Sequence, residues 1–419
     1  MEGNGKAHYT AELLCSIREE RMRVGVERWV GLKITEEGVL SCTSGGAFRY
    51  TPLSSFSLEA KGHDAEPKEG ASLLRDATEE QLDSLAVKWT VPSPLHQVAF
   101  YPDTNKPRYF AYGGEQVPLS LWSLRKTLER DSEPAETTAT KPAEDDDQDA
   151  QAAAGKKRRA SSQTGKQRDL LPGELWRAKN LPNDALSLAR HPLIRSVVFL
   201  PRNSASEAEA SEDELSALDA AVAVGTKDGL VRVYEPSKKK PKHVHEWQVA
   251  PKNQGALRVL KLARSDSILF AGDSARNLYA IDAKTGRLLF QYKDITGTIS
   301  SLLVLHVQRD EEPPKTLLLG SSLDRLVRLF DIGTPYGNGQ RRRGKELCSY
   351  FTGLENVISM ASDQLSVQVP SEKKAEEAEE EEVWANMAIA RDEKDDGDAS
   401  DAEEKPKPKQ AKRRRSGAT

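Results

Sequence analysis

Histidine is the side chain in this sequence best suited to binding a metal or transferring protons near neutral pH, and the chain has seven of them. Only His243 and His245 lie close together. In a strand, residues two apart point to the same face, so this pair could offer two ligands to one metal ion. No acidic or cysteine partner lies at ligand spacing, and the pair by itself therefore predicts no metal site.

The other residue types that could do chemistry are also scattered. The three cysteines, Cys15, Cys42 and Cys348, are far apart and form no CxxC motif, which favours buried, unreactive thiols in a reducing compartment. The glycine pairs at residues 45–46 and 113–114 are not followed by a helix that carries Lys-Ser/Thr, so we interpret them as turns and not as phosphate-binding loops. No GxSxG or kinase motif occurs. We expect no enzyme activity, no cofactor, no metal and no small-molecule substrate.

Three segments share one pattern and predict the fold. Residues 225–235, 272–282 and 320–331 each begin with small residues and continue into alternating apolar residues that close on an aromatic or acidic pair. The first and third copies match almost throughout from Asp228 and Asp324, and we expect both aspartates to accept hydrogen bonds in a tight turn. Self-similarity at a period of roughly 40–50 residues indicates a repeat architecture, and this pattern is the signature of a WD-repeat propeller blade.

Weaker copies extend the pattern in both directions. Residues 40–50 and 110–122 carry the small residues and the alternating strand, and a degraded copy ends near residues 175–176. Residues 347–351 and 356–360 could supply the strands of a last blade. These copies predict an all-β, seven-bladed WD-repeat β-propeller over residues 1–370; six or eight blades remain alternatives.

Three charged, apolar-poor segments fall outside the predicted blades. Residues 129–169, 203–216 and 371–419 cannot bury enough apolar surface to offset the entropy of ordering, so we predict disordered insertions and a disordered tail. The N-terminus has no charged-then-apolar signal sequence, and no apolar run reaches the ~20 residues that span a bilayer. We expect a soluble nuclear or cytosolic protein without membrane contact.

The charge pattern favours local binding patches. The net charge of the chain is only -4, so the propeller must bind partners through local patches and not through a strong overall field. The candidate patches are Lys238, Lys239 and Lys240, and Arg341, Arg342 and Arg343. The tail ends in a basic cluster typical of nuclear localisation segments. Its residues are Lys405, Lys407, Lys409, Lys412, Arg413, Arg414 and Arg415.

A family resemblance rests on specific residues. Residues 173–184, which include Trp-Arg-Ala-Lys-Asn, and the leucines at 186 and 188 resemble a segment of the Nop-seven-associated protein one family. This is a fungal ribosome-biogenesis family with a nucleolar WD-repeat counterpart in animals. The resemblance continues through the three strong blade copies to Tyr336 and includes an acidic motif at residues 381–387 around Trp384.

The resemblance implies a role in making the large (60S) ribosomal subunit. Members of this family are seven-bladed propellers with a basic C-terminal tail, located in the nucleus and nucleolus, that act in rRNA processing. They bind pre-ribosomal particles, with pre-rRNA, ribosomal proteins and assembly factors as partners, and an AAA-type ATPase releases them.

The matching segment also suggests contact residues. Trp176 fits a structural position between blades, whereas the polar side chains of Arg177, Lys179 and Asn180 do not belong in a core and are expected at a contact surface. Trp384 stands alone among acidic residues and is expected to be covered by a partner.

Two other functions remain alternatives. One is a WD-repeat substrate receptor of a cullin-type ubiquitin ligase, in which an arginine commonly stands two residues after the terminal acidic residue of a blade. Here Gly333 follows Asp331 and Lys284 follows Asp282 at that spacing, so the receptor motif is not intact. The other is a generic nuclear scaffold for chromatin or signalling proteins.

Overall fold

Strands make up most of the regular structure. The computed structural model describes residues 16–53, 56–57, 72–73, 78–129, 170–183, 186–188, 190–202, 215–252, 255–309, 314–336, 340–362 and 366–369. The chain divides into two compact units. The larger unit is Met1–Leu305 with Thr316–Leu365, and the smaller unit is His306–Lys315 with Ser366–Thr419.

The first sheet begins near residue 29 and contains a long connection. Its elements are β1 (Trp29–Ile34), β2 (Gly38–Thr43), β3 (Ala47–Pro52), β4 (Phe56–Ser57), β5 (Ser72–Leu73), α1 (Glu79–Ser84) and β6 (Val87–Thr90). The sheet order is β1-β2-β3-β6, and β4 and β5 form a separate short parallel pair. Helix α1 begins at a capping box in which the Thr78 hydroxyl accepts from the N–H of Gln81.

The second sheet is completed by a strand from beyond a long insertion. Its elements are β7 (Leu95–Tyr101), β8 (Tyr109–Gly114), β9 (Ser120–Ser123), α2 (Leu124–Leu128) and β10 (Glu174–Arg177). The order is β10-β9-β8-β7, so the outermost strand follows residues 130–169, which lie outside the described residues.

The third and fourth sheets are four-stranded antiparallel meanders. The third contains β11 (Ile194–Pro201), β12 (Ala220–Thr226), β13 (Leu230–Tyr234) and β14 (His245–Gln248), with a 3₁₀ turn at Pro236–Lys238. The fourth contains β15 (Leu257–Ala263), β16 (Ile268–Asp273), β17 (Leu278–Asp282) and β18 (Leu288–Tyr292). In both sheets sequence order equals spatial order, as in a propeller blade.

The fifth sheet has a short separate hairpin between its third and fourth strands in the chain, and an added strand comes later in the sequence. Its elements are β19 (Ile299–Arg309), β20 (Lys315–Ser322), β21 (Leu326–Asp331), β22 (Pro335–Tyr336), β23 (Gln340–Arg341) and β24 (Glu346–Phe351). The four-stranded part runs β24-β21-β20-β19, and β22 pairs with β23 as a separate hairpin. In the smaller unit, β25 (Ser366–Val369) pairs in parallel with residues 306–309 of β19.

The strand pairing shows where the weaker sequence copies belong. The segment around residues 175–176 is β10, the fourth strand of the second sheet, and not a separate blade. Residues 347–351 lie in β24, the fourth strand of the fifth sheet, and residues 356–360 form no strand. The described residues therefore hold five four-stranded antiparallel sheets of the WD-repeat type. Seven blades remain a prediction.

Each pair of consecutive sheets encloses its own apolar cluster. The aromatic residue at the end of a blade pattern packs against the preceding sheet. The ring centroids of Phe330 and Tyr292 are 4.7 Å apart, and those of Tyr234 and Trp176 are 5.8 Å apart in an edge-on arrangement. Large apolar side chains of this kind contribute roughly 1.5–3 kcal/mol each when fully buried. The expected position of these aromatic residues between sheets is therefore seen at both strand ends.

The glycines of the blade pattern allow neighbouring sheets to approach closely. A Cβ atom added at Gly225 would lie 2.9 Å from Cβ of Leu257, and one added at Gly272 would lie 2.8 Å from Cβ of Ile299. Leu257 and Ile299 lie in the first strands of the following sheets. The glycines of the first two copies are thus required by contact between sheets.

Asp324 has the contacts that a turn aspartate needs. Its carboxylate accepts hydrogen bonds from the Thr296 hydroxyl at 2.6 Å, from the Leu326 N–H at 3.2 Å and from the Ser322 hydroxyl. The guanidinium of Arg328 donates to both carboxylate oxygens, at 3.2 and 2.7 Å. Burial opposes ionisation, but the hydrogen bonds from Arg328, Ser322 and Thr296 hold the pKa of Asp324 well below its usual range.

The turn that contains Asp228 is bonded differently from the expectation. Among the described residues, none donates a hydrogen bond to the Asp228 carboxylate. Instead the Thr226 hydroxyl accepts from the Leu230 N–H and donates to the Leu230 carbonyl, both at 3.1 Å. Arg232, which corresponds to Arg328, donates to Glu246 at 2.6 Å. The role expected of Asp228 is therefore carried by Thr226, because the local arginine is paired with the neighbouring strand.

Candidate interaction surfaces

The segment that carries the family resemblance is anchored by a buried ion pair. Arg177 donates through Nε to the Glu174 carboxylate at 2.7 Å and through a terminal nitrogen to its second oxygen. The Glu174 side chain is fully buried, and it also accepts from the Ser120 hydroxyl and the Leu171 N–H. The positive charge of the Arg177 guanidinium is the main compensation for the charge of the Glu174 carboxylate, which has no access to water. The position of Arg177 is thus structural in this chain, in contrast to the contact role expected of it.

Trp176 and Ala178 fix this segment from the other side. Both are buried in the apolar cluster between the second and third sheets, together with Tyr234. Because side chains alternate along β10, burial of Trp176 leaves Arg177 on the opposite face. Lys179 and Asn180 are exposed.

Two of the predicted patches come together in the fold. The N–H of Lys179 donates to the carbonyl of Pro241 at 2.8 Å, which places Lys179 beside the loop that contains Lys238–Lys240. We call Lys179, Lys238, Lys239, Lys240 and Lys242 the lysine patch; all five are exposed. The sequence gives no sign of this contact, since about 60 residues separate its two parts.

The charge of the lysine patch is only partly balanced. Lys238 forms an ion pair with Glu235 at 2.5 Å, and Glu235 also pairs with Arg202. Among the described residues, Lys240 and Lys242 form no ion pair. Lysine ammonium groups on a rigid turn suit an acidic partner or a phosphate backbone.

Several cationic side chains surround Glu246, and one of them, Arg190, was not singled out from the sequence. Glu246 receives the Arg232 guanidinium at 2.6 Å and faces the His243 ring at 3.7 Å. A hydrogen bond from Arg232 lowers the pKa of Glu246 against the effect of burial, and the charges of His243 and Arg190 lower it further. His243 also lies edge-on to Tyr234, whereas His245 stacks on Trp247. The two histidines therefore have different neighbours and do not converge on one point.

The three consecutive arginines of the second predicted patch have unequal roles. Arg341 donates to the Asp266 carboxylate at 2.5 Å and to the Gly333 carbonyl at 2.8 Å, and its side chain is only 11% exposed. It holds the β22–β23 hairpin against the fourth sheet. Arg342 and Arg343 are exposed. The surface role expected of Arg341 is thus replaced by a structural one.

Arg342 and Arg343 line an open cleft of about 820 Å³ beside the ends of β18 and β21. Lys293 and Lys345 add two further cations, while Asp294, Asp331 and Glu346 lie in the same wall. The floor contains Tyr292, whose hydroxyl donates to the Asp331 carbonyl at 2.9 Å. The near balance of charge makes this cleft a less selective anion site than the lysine patch.

Several predicted features lie outside the described residues. These are Trp384, the basic cluster at residues 405–415, the tail at 371–419, and the insertions at 130–169 and 203–214. Of the segments expected to be disordered, residues 129, 215 and 216 are described. Among the described residues, none of the helices has the length and apolarity needed to cross a bilayer. No group of three potential ligands in that part of the chain could hold a metal ion.

Comparison with known proteins gives a limited match. No protein-family model and no curated protein matches this sequence. Among solved structures, the crystal structure of Saccharomyces cerevisiae Sqt1 is similar with a TM-score of 0.43 and 10% sequence identity. The match covers 79% of this chain and 63% of the Sqt1 chain.

Proposed function

We propose that this chain is a non-catalytic assembly factor of the large (60S) ribosomal subunit. In this proposal it works as a propeller scaffold on nucleolar pre-ribosomal particles and supports rRNA processing. Its partners are pre-rRNA, ribosomal proteins and other assembly factors, and an AAA-type ATPase releases it. The observation that carries the proposal is the lysine patch, because the segment with the family resemblance joins a second basic loop there.

The arrangement suits a scaffold. The amide of Lys179 is bonded to the loop that bears Lys240, and both parts stand on a sheet pair whose apolar cluster holds Trp176 and Tyr234. The backbone that carries these lysines is therefore held by a hydrogen bond between the two segments and by the apolar cluster below them. The basic tail at residues 405–415 supports the proposed location in the nucleus and nucleolus.

The alternative as a cullin-type ligase receptor has less support. The position that would carry the receptor arginine is Gly333, which has φ +75°. A Cβ atom there would lie 1.9 Å from the carbonyl oxygen of Arg342. An arginine cannot occupy this position without moving the hairpin.

Gradient sedimentation of cell extract tests the proposal. The full chain should co-sediment with large-subunit precursors. The double variant Lys179→Glu/Lys240→Glu should lose at least about tenfold of this association, because two attractive charges become repulsive toward an anionic partner. The matched control is Lys227→Glu/Lys284→Glu, which makes the same charge change at two other exposed lysines.

The outcomes separate function from site. A parent chain that sediments only as free protein while precursors are abundant would refute the assembly-factor proposal. A parent that co-sediments, with both double variants equally bound, would keep the function and refute the lysine patch as its contact.

A further inference from the structure

The first strands of the first four sheets share an irregularity that brings charged residues together. Each of them has a register shift near its start, at which one residue is left without a partner in the second strand. The extra residues are Val30, His96, Arg195 and Arg258. A bulge turns its side chain away from the regular alternation, and bulges are frequent beside binding sites.

Three of the bulge residues, His96, Arg195 and Arg258, stand on neighbouring strands, and Arg28 precedes the first strand. In space β7 contacts both β1 and β11, and β11 contacts β15. A terminal nitrogen of Arg195 lies 2.9 Å from Nε2 of His96, and a terminal nitrogen of Arg28 lies 3.4 Å from Nδ1 of the same ring. Arg258 occupies the equivalent bulge of β15, the strand that contacts β11. We call Arg28, His96, Arg195 and Arg258 the bulge cluster.

The hydrogen bonding in the bulge cluster is incomplete. Burial, together with the charges of Arg195 and Arg28, lowers the pKa of His96 to about 4, so the ring is neutral at physiological pH. A neutral imidazole has one acceptor nitrogen and one N–H. Both ring nitrogens face a guanidinium donor, and only one of the two contacts can be a hydrogen bond. At the other ring nitrogen, an N–H of His96 and an N–H of an arginine point toward each other, and neither has an acceptor there.

The charge of the bulge cluster is also unbalanced. The nearby carboxylate is Glu115, whose oxygen lies 3.7 Å from Arg195 and 3.9 Å from His96. It is 43% exposed and lies beyond hydrogen-bond distance of both groups. Among the described residues, no carboxylate lies within hydrogen-bond distance of the guanidinium groups of Arg28, Arg195 and Arg258. The His96 side chain is 16% exposed and that of Arg195 is 27% exposed, so the donors are partly shielded from water yet still accessible.

We propose that the bulge cluster binds one acidic side chain of a peptide, either a carboxylate or a phosphoryl group. An oxyanion among these groups accepts the surplus guanidinium N–H donors and the His96 N–H together. Arginine favours this class of ligand because its planar fork matches the oxygens of carboxylate and phosphate.

A peptide fits this site better than a nucleic acid. The donors converge at one place and form no track of successive phosphate contacts. Glu115 stands at the edge of the bulge cluster and would repel a neighbouring phosphate. This inference does not depend on the role in ribosome assembly.

The test is fluorescence anisotropy with the purified full chain. The probe is a labelled synthetic peptide that copies residues 206–214, which contain a run of glutamates with two serines. One arm uses the unmodified peptide, a second uses the form phosphorylated at the serine of position 211, and a third replaces every acidic residue by its amide. A single-stranded RNA of about ten nucleotides is the fourth arm.

We expect the acidic peptides to bind and the amide peptide to fail. Arg195→Gln and Arg258→Gln should each weaken binding by about tenfold or more, which corresponds to one charge-assisted hydrogen bond. Lys284→Gln removes the same charge from an exposed lysine outside both the bulge cluster and the lysine patch, and should leave binding unchanged. Tighter binding of the phosphorylated arm assigns the site to phosphoryl groups, and equal binding assigns it to carboxylates.

Clear results would overturn the proposal. The first is that neither acidic peptide binds to a parent chain that melts normally. The second is that both arginine variants bind the acidic peptides as tightly as the parent does. The third is that the RNA binds more tightly than the peptides and that Arg195→Gln abolishes this RNA binding. Because Arg258 is exposed, its variant should fold normally and keeps the test valid if Arg195→Gln does not fold.

Discussion

The substitution Asp324→Asn removes one charge from a buried network without changing its shape. The Asp324 carboxylate accepts hydrogen bonds from two hydroxyls, one backbone N–H and both terminal nitrogens of Arg328. An asparagine keeps one acceptor oxygen and turns an NH₂ group toward these donors. The Arg328 side chain is only 5% exposed, so water cannot replace the lost partner.

The size of the effect follows from burial. Removing one partner of a buried ion pair typically costs about 3–5 kcal/mol. Arg328 keeps a second carboxylate, Glu346, at 3.5 Å, and the Asp324 side chain is 13% exposed. We therefore expect the lower end, about 3 kcal/mol. For a unit of this size that corresponds to a fall in Tm of about 6 °C.

Thermal melts at a series of pH values check this prediction. The pKa of Asp324 is lower in the folded chain than the value of about 3.9 expected when unfolded, so its stabilising effect is complete above about pH 4 and decreases below it. The gap in Tm between parent and Asp324→Asn should be full at pH 7 and narrow as the pH falls below about 4.

The matched control is Asp228→Asn, since no described residue donates to that carboxylate. The free energy of unfolding of Asp228→Asn should differ from that of the parent by less than about 0.5 kcal/mol. Equal melts of Asp324→Asn and the parent at pH 7, or a gap that stays constant down to low pH, would refute the reasoning.

Two further predictions follow from other buried groups. Arg177→Glu places a second carboxylate beside the buried Glu174 and should lower the free energy of unfolding by about 3 kcal/mol or more. Lys179→Glu, on the exposed face, should change it by less than about 0.5 kcal/mol. Equal melting temperatures of the two variants would contradict the structural role of Arg177. Burial raises the pKa of the Cys42 thiol, whereas Cys348 is exposed. Iodoacetamide should therefore modify Cys348 in the folded chain and Cys42 only after unfolding. Mass spectrometry of the labelled peptides measures this difference. Labelling of both at the same rate in the folded chain would contradict the burial of Cys42.

Local patterns in the sequence predicted the blade type because they depend on neighbouring residues. The alternation after Asp324 and the closing Phe330 and Asp331 correspond to β21, and the segment after Asp228 corresponds to β13. The segment around Trp176 was recognised as a strand end, but its assignment to a separate blade was not supported. The strand pairs with β9 across a long insertion, and sequence periodicity holds no information about such pairing.

The roles of the charged residues could not be predicted in the same way. The sequence predicted the same surface role for four basic residues, Arg177, Lys179, Arg341 and Arg342. Within the described part of the chain, Arg177 and Arg341 pair with a carboxylate, that of Glu174 and Asp266 respectively, whereas Lys179 and Arg342 do not. In the second case the partner lies 75 residues away.

The sequence by itself determined the type of strand unit and the positions of its turns, because these depend on alternation and residue type within a few positions. The tertiary structure decided which cations are bonded internally and which remain available to a partner. It also placed Lys179 beside the loop of Lys240 and brought Arg28, His96, Arg195 and Arg258 together. The physical reason is that hydrogen bonds and charge interactions act over a few ångströms in space, and only the packing of the sheets makes residues so far apart in the chain neighbours.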